Sequence, residues 1–285
     1  MNVEIPITKA SGQQVMFSTA KLRKSLQKAG ANHNQIEEVI EGVSSKLFPG
    51  ITTKNIYKAA FNILKNSSRN LAAKYHLKTA IMELGPSGYP FEKFIGEIFK
   101  HQGYSTKVSA IVQGKCVQHE VDVIARISNT QLMIECKYHN QQGIICDVKI
   151  PLYIHSRFKD VEAKWIENAA RGDKSTYQGC VVTNTRFSND AIQYGNCAGL
   201  KLLGWDYPAK GSLREQIDKL GLYPITCLTS LTRNEKQYLL NKNIVLCLEL
   251  KDHPHLLTDA GLKATRLDVA VQEINQLCKQ INTVK

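Results

Sequence analysis

Two apolar runs joined by a short polar turn constrain the fold of this chain more than any other feature. The runs cover residues 120–127 and 131–137 and flank a polar turn at residues 128–130, so the segment predicts a β-hairpin. Val, Ile, Leu and Met occupy both faces of the two strands, which is typical of strands inside an α/β sheet. We therefore expect a sheet that is covered by helices on both faces.

The sequence around the hairpin alternates between helical and strand-like patterns, which also favours an α/β sheet. The predicted helices cover residues 91–101, 161–170 and 190–197, and the predicted strands cover 105–112, 120–127, 132–137, 179–183 and 200–203.

Asp122, Glu135 and Lys137 are charged residues within the otherwise largely apolar hairpin. A turn centred between Ser128 and Asn129 places Asp122 opposite Glu135, and a shift of one residue places it opposite Lys137. Both registers put the three side chains on one face, because strand side chains alternate with a period of two. Such charges need solvent, a partner or a metal ion. The alternative interpretation is an ion pair between strands on a solvent-facing surface.

The chemistry of these side chains suits phosphodiester hydrolysis. Two carboxylates bind a hard cation such as Mg²⁺ through oxygen. A bound cation polarises a phosphate and lowers the pKa of a bound water. A lysine beside them can orient that water or offset charge in the transition state.

The pattern Asp122, then Glu135-Cys136-Lys137, resembles the PD-(D/E)xK nuclease signature, with Val121 in the place of the proline. Two flanking segments extend the resemblance. Residues 90–104 are similar to the first helix of Mrr-type (type IV) restriction endonucleases and of archaeal Holliday-junction resolvases, and residues 182–203 are similar to the later part of the Mrr catalytic domain. The resemblance covers about 115 residues.

This resemblance implies a restriction-endonuclease-like core, in which a mixed sheet is flanked by helices, and DNA cleavage with Mg²⁺ or Mn²⁺. It implies the catalytic residues Asp122, Glu135, Lys137 and Glu92, and a metal site formed by Glu92, Asp122, Glu135 and Cys136. Glu97 is the alternative to Glu92, but it lies five residues further along and faces elsewhere. A homodimer or higher homo-oligomer is expected for cutting both strands of double-stranded DNA.

Two further groups of polar residues lie near the predicted site. His139, Gln141 and Gln142 follow Lys137 and are either phosphate contacts or loop surface. Basic residues flank the entry to the helix over 161–170 and either line a DNA groove or form a solvated face. They are Lys149, His155, Arg157 and Lys159.

The run from Gly85 to Pro90 contains two prolines and two glycines and cannot continue a helix, so it predicts a boundary. We divide the chain into domains over residues 1–86, 89–210 and 211–285. The first predicts two short strands, 3–9 and 14–17, and four helices. The helices cover 19–29, 35–47, 56–64 (capped by Thr53) and 71–84.

The first domain resembles the ATP-cone, a regulatory module of ribonucleotide reductases, over about 85 residues. The similar residues include Ile7-Thr-Lys9, Gly12, Lys21-Leu22, 50–53 and 71–75, whereas Ala10-Ser11 stands where that family usually carries Arg-Asp. The resemblance implies binding of ATP or dATP as a regulatory ligand. It implies contacts from Lys9, Gly12, Lys21, Thr53 and Lys74. The alternative is a basic helical docking module.

The third domain, residues 211–285, is predicted to be all helical. Its leucine-rich pattern over 236–270 faintly resembles helix–hairpin–helix modules, which bind DNA backbones. The alternative is a docking or dimerisation domain.

Composition narrows the class of protein. The net charge is +12, and residues 1–88 alone hold 12 basic and 5 acidic residues, which favours a polyanionic partner. No run is apolar enough to span a membrane and no secretory signal is visible, so a cytoplasmic protein is expected. The eight cysteines form no Cys-x-x-Cys pair and are predicted to be buried thiols.

The leading hypothesis is a metal-dependent DNA endonuclease that restricts foreign or modified DNA and is regulated by ATP or dATP. The alternatives are a structure-specific repair nuclease, such as a Holliday-junction resolvase, and a nucleotide-sensing DNA-binding regulator with an inactive nuclease core.

Overall fold

The computed structural model describes residues 5–9, 11–141 and 143–278. Its N-terminal part is a hairpin followed by four helices, as predicted. The elements are β1 Pro6–Thr8, β2 Gln14–Met16, α1 Thr19–Lys28, α2 His33–Ser44, α3 Thr53–Ser67 and α4 Arg69–Met82. Thr53 was wrongly predicted as the cap of the third helix. The cap is Thr52, whose hydroxyl accepts from the Asn55 amide at 3.2 Å, so Thr53 is the first helical residue.

A five-stranded mixed sheet forms the centre of the molecule. Its strands are β3 Ser105–Gln113, β4 Gln118–Ile127, β5 Thr130–Lys137, β7 Thr176–Thr183 and β9 Lys201–Leu203. They lie in the order β3-β4-β5-β7-β9. The pairs β3–β4 and β4–β5 are antiparallel, whereas β5–β7 and β7–β9 are parallel. The predicted strands are confirmed, and so is a mixed sheet flanked by helices.

Helices cover both faces of this sheet. They are α5 Tyr89–His101, α6 Lys149–Asn168 and α7 Asn189–Cys197. Phe94 of α5 packs with Val123 and Ile134 on one face, and Ile154 of α6 packs with Met133 on the other. A short parallel pair, β6 Ile145–Cys146 with β8 Arg186–Phe187, was not predicted.

The C-terminal part is helical, as predicted, but it has no separate core among the described residues. Its elements are α8 Leu213–Leu220, a 3-10 turn Ile225–Cys227, α9 Arg233–Asn241, α10 Cys247–Asp252, α11 His255–Asp259 and α12 Ala264–Leu277. Buried residues such as Ile217 and Ile274 belong to the same cluster as Leu77 of α4 and Phe91 of α5. The Thr226 hydroxyl also donates to the Ala80 carbonyl at 2.7 Å.

All eight cysteines are free thiols, and six are buried as predicted, whereas Cys116 and Cys197 are exposed. None of the helices in the described ranges is both long and apolar enough to cross a bilayer.

Candidate active site

The hairpin of β4 and β5 adopts the first of the two predicted registers. Pairing runs from Ile127–Thr130 at the turn to Val123–Ile134, so the next pair in register is Asp122 with Glu135. β5 continues beside β7 as far as Lys137. The carboxylates therefore lie where the paired register of β4 with β5 ends.

The backbone is irregular at Asp122. Val121 packs in the cluster under α6, while Val123 packs in the cluster under α5, although residues two apart in a regular strand share a face. The neighbouring strand is irregular at the same level, because Ser109 has a φ of 51°. The β3–β4 pairs Val108–Val123 and Ala110–Val121 lie on either side of Ser109 and Asp122. Strain of this kind concentrates at functional sites.

Asp122 and Glu135 are each held by specific hydrogen bonds. The Cys136 amide donates to Asp122 Oδ2 at 2.7 Å. Lys137 Nζ lies 2.8 Å from Glu135 Oε1, and Arg157 Nη1 lies 2.7 Å from Glu135 Oε2. The Glu135 side chain is only 7% exposed, so both cations bind it out of bulk solvent.

Glu92 approaches the same cluster from the first turn of α5. Ser109 Oγ donates to Glu92 Oε2 at 3.3 Å. Burial, then the nearby carboxylates of Glu120 and Glu135, raise the pKa of Glu92. Glu97 instead pairs with Lys100 and His101 on its own helix, at 3.4 and 3.9 Å. Glu92, rather than Glu97, is therefore the acid that lies near Glu135.

Burial and the neighbouring carboxylates both disfavour a negative charge on Asp122. Burial, followed by the Glu135 carboxylate, raises the pKa of Asp122 to about 7 from its ordinary 3.8, and Glu92 acts in the same direction. Clustered carboxylate oxygens are the donors that a hard cation takes, and a cation would relieve this repulsion. In the part of the chain that the structure describes, however, no three His, Cys, Asp or Glu side chains are already arranged around one ion position.

Cys136, which was predicted to be among the metal-holding residues, is buried beside the acidic cluster. Its side chain packs with Leu132 and Ile134 under α5, on the face of β5 opposite to Met133. Burial, followed by the carboxylates of Asp122 and Glu92, raises the pKa of this thiol well above its ordinary value. The backbone amide of Cys136 binds Asp122 directly.

Arg157 is the site residue whose position differs most from the sequence-based prediction. It lies inside α6, not before a helix that begins at 161, and it also donates to the Glu120 carbonyl. Its guanidinium lies 5.5 Å from the ring centre of Tyr153, one helical turn earlier. The i, i+4 spacing of Tyr153 and Arg157 is the sequence feature that indicated that both lie on one helix.

The loops after the parallel strands β5 and β7 are tied together. The Asn184 side chain accepts from the His139 amide at 2.9 Å and donates to the His139 carbonyl at 2.7 Å. Thr183 Oγ1 donates to the Lys137 carbonyl at 2.8 Å. These bonds fix the end of β5, and with it the backbone of Lys137. Gln142 lies outside the described residues.

The structure brings together some of the predicted nucleotide contacts. The Gly12 amide donates to the Lys9 carbonyl at 2.9 Å, and Gly12 has a φ of 80°, which closes the turn between β1 and β2. An isolated parallel bridge joins Thr8 to Thr52, the residues before Lys9 and Thr53, and Lys9 Nζ donates to Gln13 Oε1 at 2.9 Å. Lys21 lies in the first turn of α1, which follows β2, and Ala10 lies outside the described residues.

Lys74 has a different environment from the other predicted nucleotide contacts. Its Nζ lies 5.7 Å from the ring centre of Tyr223 in the C-terminal part, and it acts electrostatically on Asp218. Lys74 therefore faces the C-terminal helices.

Fold and site together define an α/β protein whose mixed sheet carries a buried acidic cluster, bound by a lysine and an arginine, at the end of its central hairpin. Residues 223–278 match the family described as AF1548-like, C-terminal. An uncharacterised protein of Archaeoglobus fulgidus is 32% identical over 184 residues, which make up 64% of this chain and 99% of that protein. This chain belongs to the AF1548-like family.

The crystal structure of a protein of unknown function, AF1548, shares the fold with a TM-score of 0.55 at 31% identity. The match covers 68% of this chain and 99% of the other. The similarity to these two proteins therefore supports the fold and does not assign an activity.

Proposed function

We propose that this protein is a metal-dependent nuclease that hydrolyses phosphodiester bonds in DNA, with a restriction-endonuclease-like core. One observation carries the proposal: Asp122 and Glu135 meet where β4 and β5 cease to pair, and Lys137 lies on Glu135 at 2.8 Å. The resemblance of residues 122 and 135–137 to the PD-(D/E)xK signature gives independent support.

Asp122 and Glu135 would hold the cation, with Glu92 beside them. Both Glu135 oxygens are bound by cationic side chains, so a metal ion would compete with Lys137 or Arg157 for one of them. The cation supplies a Lewis acid that polarises the phosphate. When the metal ion displaces Lys137 from Glu135, or shares Glu135 with it, Lys137 can orient a water or offset negative charge on the phosphate.

A second candidate function is DNA binding without cleavage. The two ion pairs that occupy both oxygens of Glu135 favour it, because they already satisfy the charge that a metal ion would neutralise. In this case the basic N-terminal part would account for affinity, and the acidic cluster would be structural.

One experiment separates the two candidates. Plasmid and linear DNA are incubated with the protein and Mg²⁺ or Mn²⁺, with Glu135→Ala and Lys137→Ala variants beside the wild type. Cleavage by the wild type alone, with DNA binding retained in both variants, supports the nuclease. Binding without cleavage in every sample favours the second candidate.

We further propose that the N-terminal hairpin binds ATP or dATP and regulates the nuclease. The turn at Gly12 beside Lys9, with the start of α3 joined to β1 through Thr8 and Thr52, supports an anion site there. Adding either nucleotide to the cleavage assay tests the regulation, and a Lys9→Glu variant should lose any response.

A further inference from the structure

A cavity of about 780 Å³ lies where the three parts of the chain meet. Its walls come from α3 and α4, from the linker at Gly85 and Pro86, from Asn140 after β5, and from residues 226–240 of the C-terminal part. This volume is within the range of about 300–1,000 Å³ that is typical of small-molecule sites. Neither the acidic cluster nor the Gly12 turn lines it.

The charged groups of this junction cavity suit an anion. Lys65, Arg233 and Lys236 line it, whereas Glu83 is the one carboxylate among its described lining residues. Glu83 already lies 3.6 Å from His76 Nε2. Glu83 also acts electrostatically on Lys236 and Arg233, and Lys236 Nζ donates to the Thr226 carbonyl at 2.7 Å. Positive charge is still in excess, because three cations line the cavity against one carboxylate. Phosphate groups are the anions that lysine and arginine bind most readily in such sites.

The cavity also presents aromatic surface. Phe61 and His76 both line it, with their ring centres 5.2 Å apart. The His76 ring is fixed from behind, because its Nδ1 lies 2.5 Å from the Tyr57 hydroxyl. Preordered rings of this kind stack on the flat ring of a ligand.

We propose that the junction cavity binds a small ligand that carries both phosphate groups and an aromatic ring, the chemistry of a nucleotide, at a site separate from the N-terminal hairpin. Phosphates contact Lys65, Arg233 and Lys236, and the ring lies against Phe61 and His76.

The position of the cavity links this site to the acidic cluster. The Tyr138 hydroxyl accepts from the Gly85 amide at 3.0 Å and donates to the Met82 carbonyl at 2.5 Å, so the linker wall is bonded to the residue after Lys137. Asn140, two residues further, is itself in the wall. A bound ligand therefore stabilises one position of the end of β5, where the acidic cluster lies. Any effect on the cluster's activity rests on the proposed function, whereas the binding of the ligand does not.

Isothermal titration of the full chain with ATP and with tripolyphosphate tests the binding, and it needs no DNA cleavage. All samples carry Lys9→Glu, so that the hairpin cannot contribute. Lys65→Glu and Arg233→Glu should each weaken binding of both ligands by about tenfold or more. Lys58→Glu, an exposed residue of α3 that does not line the cavity, is the matched control and should leave binding unchanged.

Phe61→Leu removes the ring and keeps an apolar side chain. It should weaken ATP by about tenfold and leave tripolyphosphate unchanged. Absence of binding in the Lys9→Glu protein, or binding that survives both cavity charge reversals, would overturn the site. An equal effect of Phe61→Leu on the two ligands would overturn the assignment to a nucleotide.

Discussion

At the scale of single residues, the ionised carboxylate of Asp122 destabilises the folded protein when no cation is bound. Its pKa of about 7 in the folded protein exceeds its ordinary 3.8. The protonated form is therefore favoured by folding, and the stability that it contributes is present below pH 4 and is lost as the pH rises to about 7.

We predict that Asp122→Asn stabilises the metal-free protein above pH 7, by on the order of 3 kcal/mol. The amide keeps an oxygen that can accept from the Cys136 amide, and it carries no charge. Urea unfolding in EDTA at several pH values measures the difference. The gain should shrink towards pH 4, and a gain that is constant with pH would contradict this account.

Arg157 gives a second prediction at this scale. Arg157→Ala should reduce cleavage by about tenfold to a thousandfold, because Arg157 holds one Glu135 oxygen in place while a metal ion displaces Lys137 from the other, and because the Glu120 carbonyl loses a donor. Lys159→Ala is the matched control on the same helix, since Lys159 pairs with Glu162 at the surface. Equal activity of the two variants would exclude a role for Arg157 in the site.

Local periodicity predicts which residues share a strand face, and it predicted the approach of Asp122 to Glu135 correctly. The same alternation places the Cys136 thiol on the strand face opposite to Glu135, so its place in the predicted metal site came from the resemblance and not from the alternation. Arg157 was not predictable in this way, because its contact with Glu135 spans 22 residues and depends on how α6 packs on the sheet. The contact of Lys74 with Tyr223 was not predictable for the same reason, because it joins residues far apart in the sequence.

At the scale of elements, α6 holds the turn between β3 and β4. Asp160 Oδ1 accepts from the Cys116 amide at 2.8 Å, and its Oδ2 lies 2.8 Å from His119 Nε2. The bond to His119, opposed by burial and aided by the Cys116 amide, lowers the pKa of Asp160. The resulting stability is present above pH 4 and is lost as the pH falls below it.

We therefore predict that Asp160→Asn lowers the melting temperature at pH 7 and has a smaller effect below about pH 4. Glu167→Gln on the same helix removes only an i, i+3 surface pair with Lys164 and should have little effect. Calorimetry at pH 2 and 7 makes the comparison, because the lowered pKa keeps Asp160 largely ionised in the folded protein at pH 3. Equal losses at both pH values would show that the charge of Asp160 does not matter.

The elements were predictable where their pattern is long and regular, as in β3, β4 and β5. The start of α6 was placed twelve residues late, at 161 instead of Lys149. Pro151 lies in the first turn of this helix, where proline costs no hydrogen bond. The strands β6 and β8 have two residues each, too few for any period.

At the scale of the whole molecule, the shared core makes the C-terminal helices part of the α/β body. We predict that a chain ending at Lys210 does not fold, because Leu77, Phe91 and their neighbours lose the residues that bury them. A chain beginning at Ser68 should keep the sheet, since residues 7–72 form a separate cluster. Cooperative unfolding of the chain that ends at Lys210, followed by circular dichroism, would contradict the prediction.

The helix α4 belongs to two cores at once: Leu71 and Ala72 face the N-terminal cluster, and Leu77 and Ile81 face the central one. Its 14 residues span about 21 Å without a break. The Gly-Pro linker that follows therefore does not separate the two cores, because the helix before it already belongs to both. A cut at that linker would detach from the central core the half of α4 that carries Leu77 and Ile81.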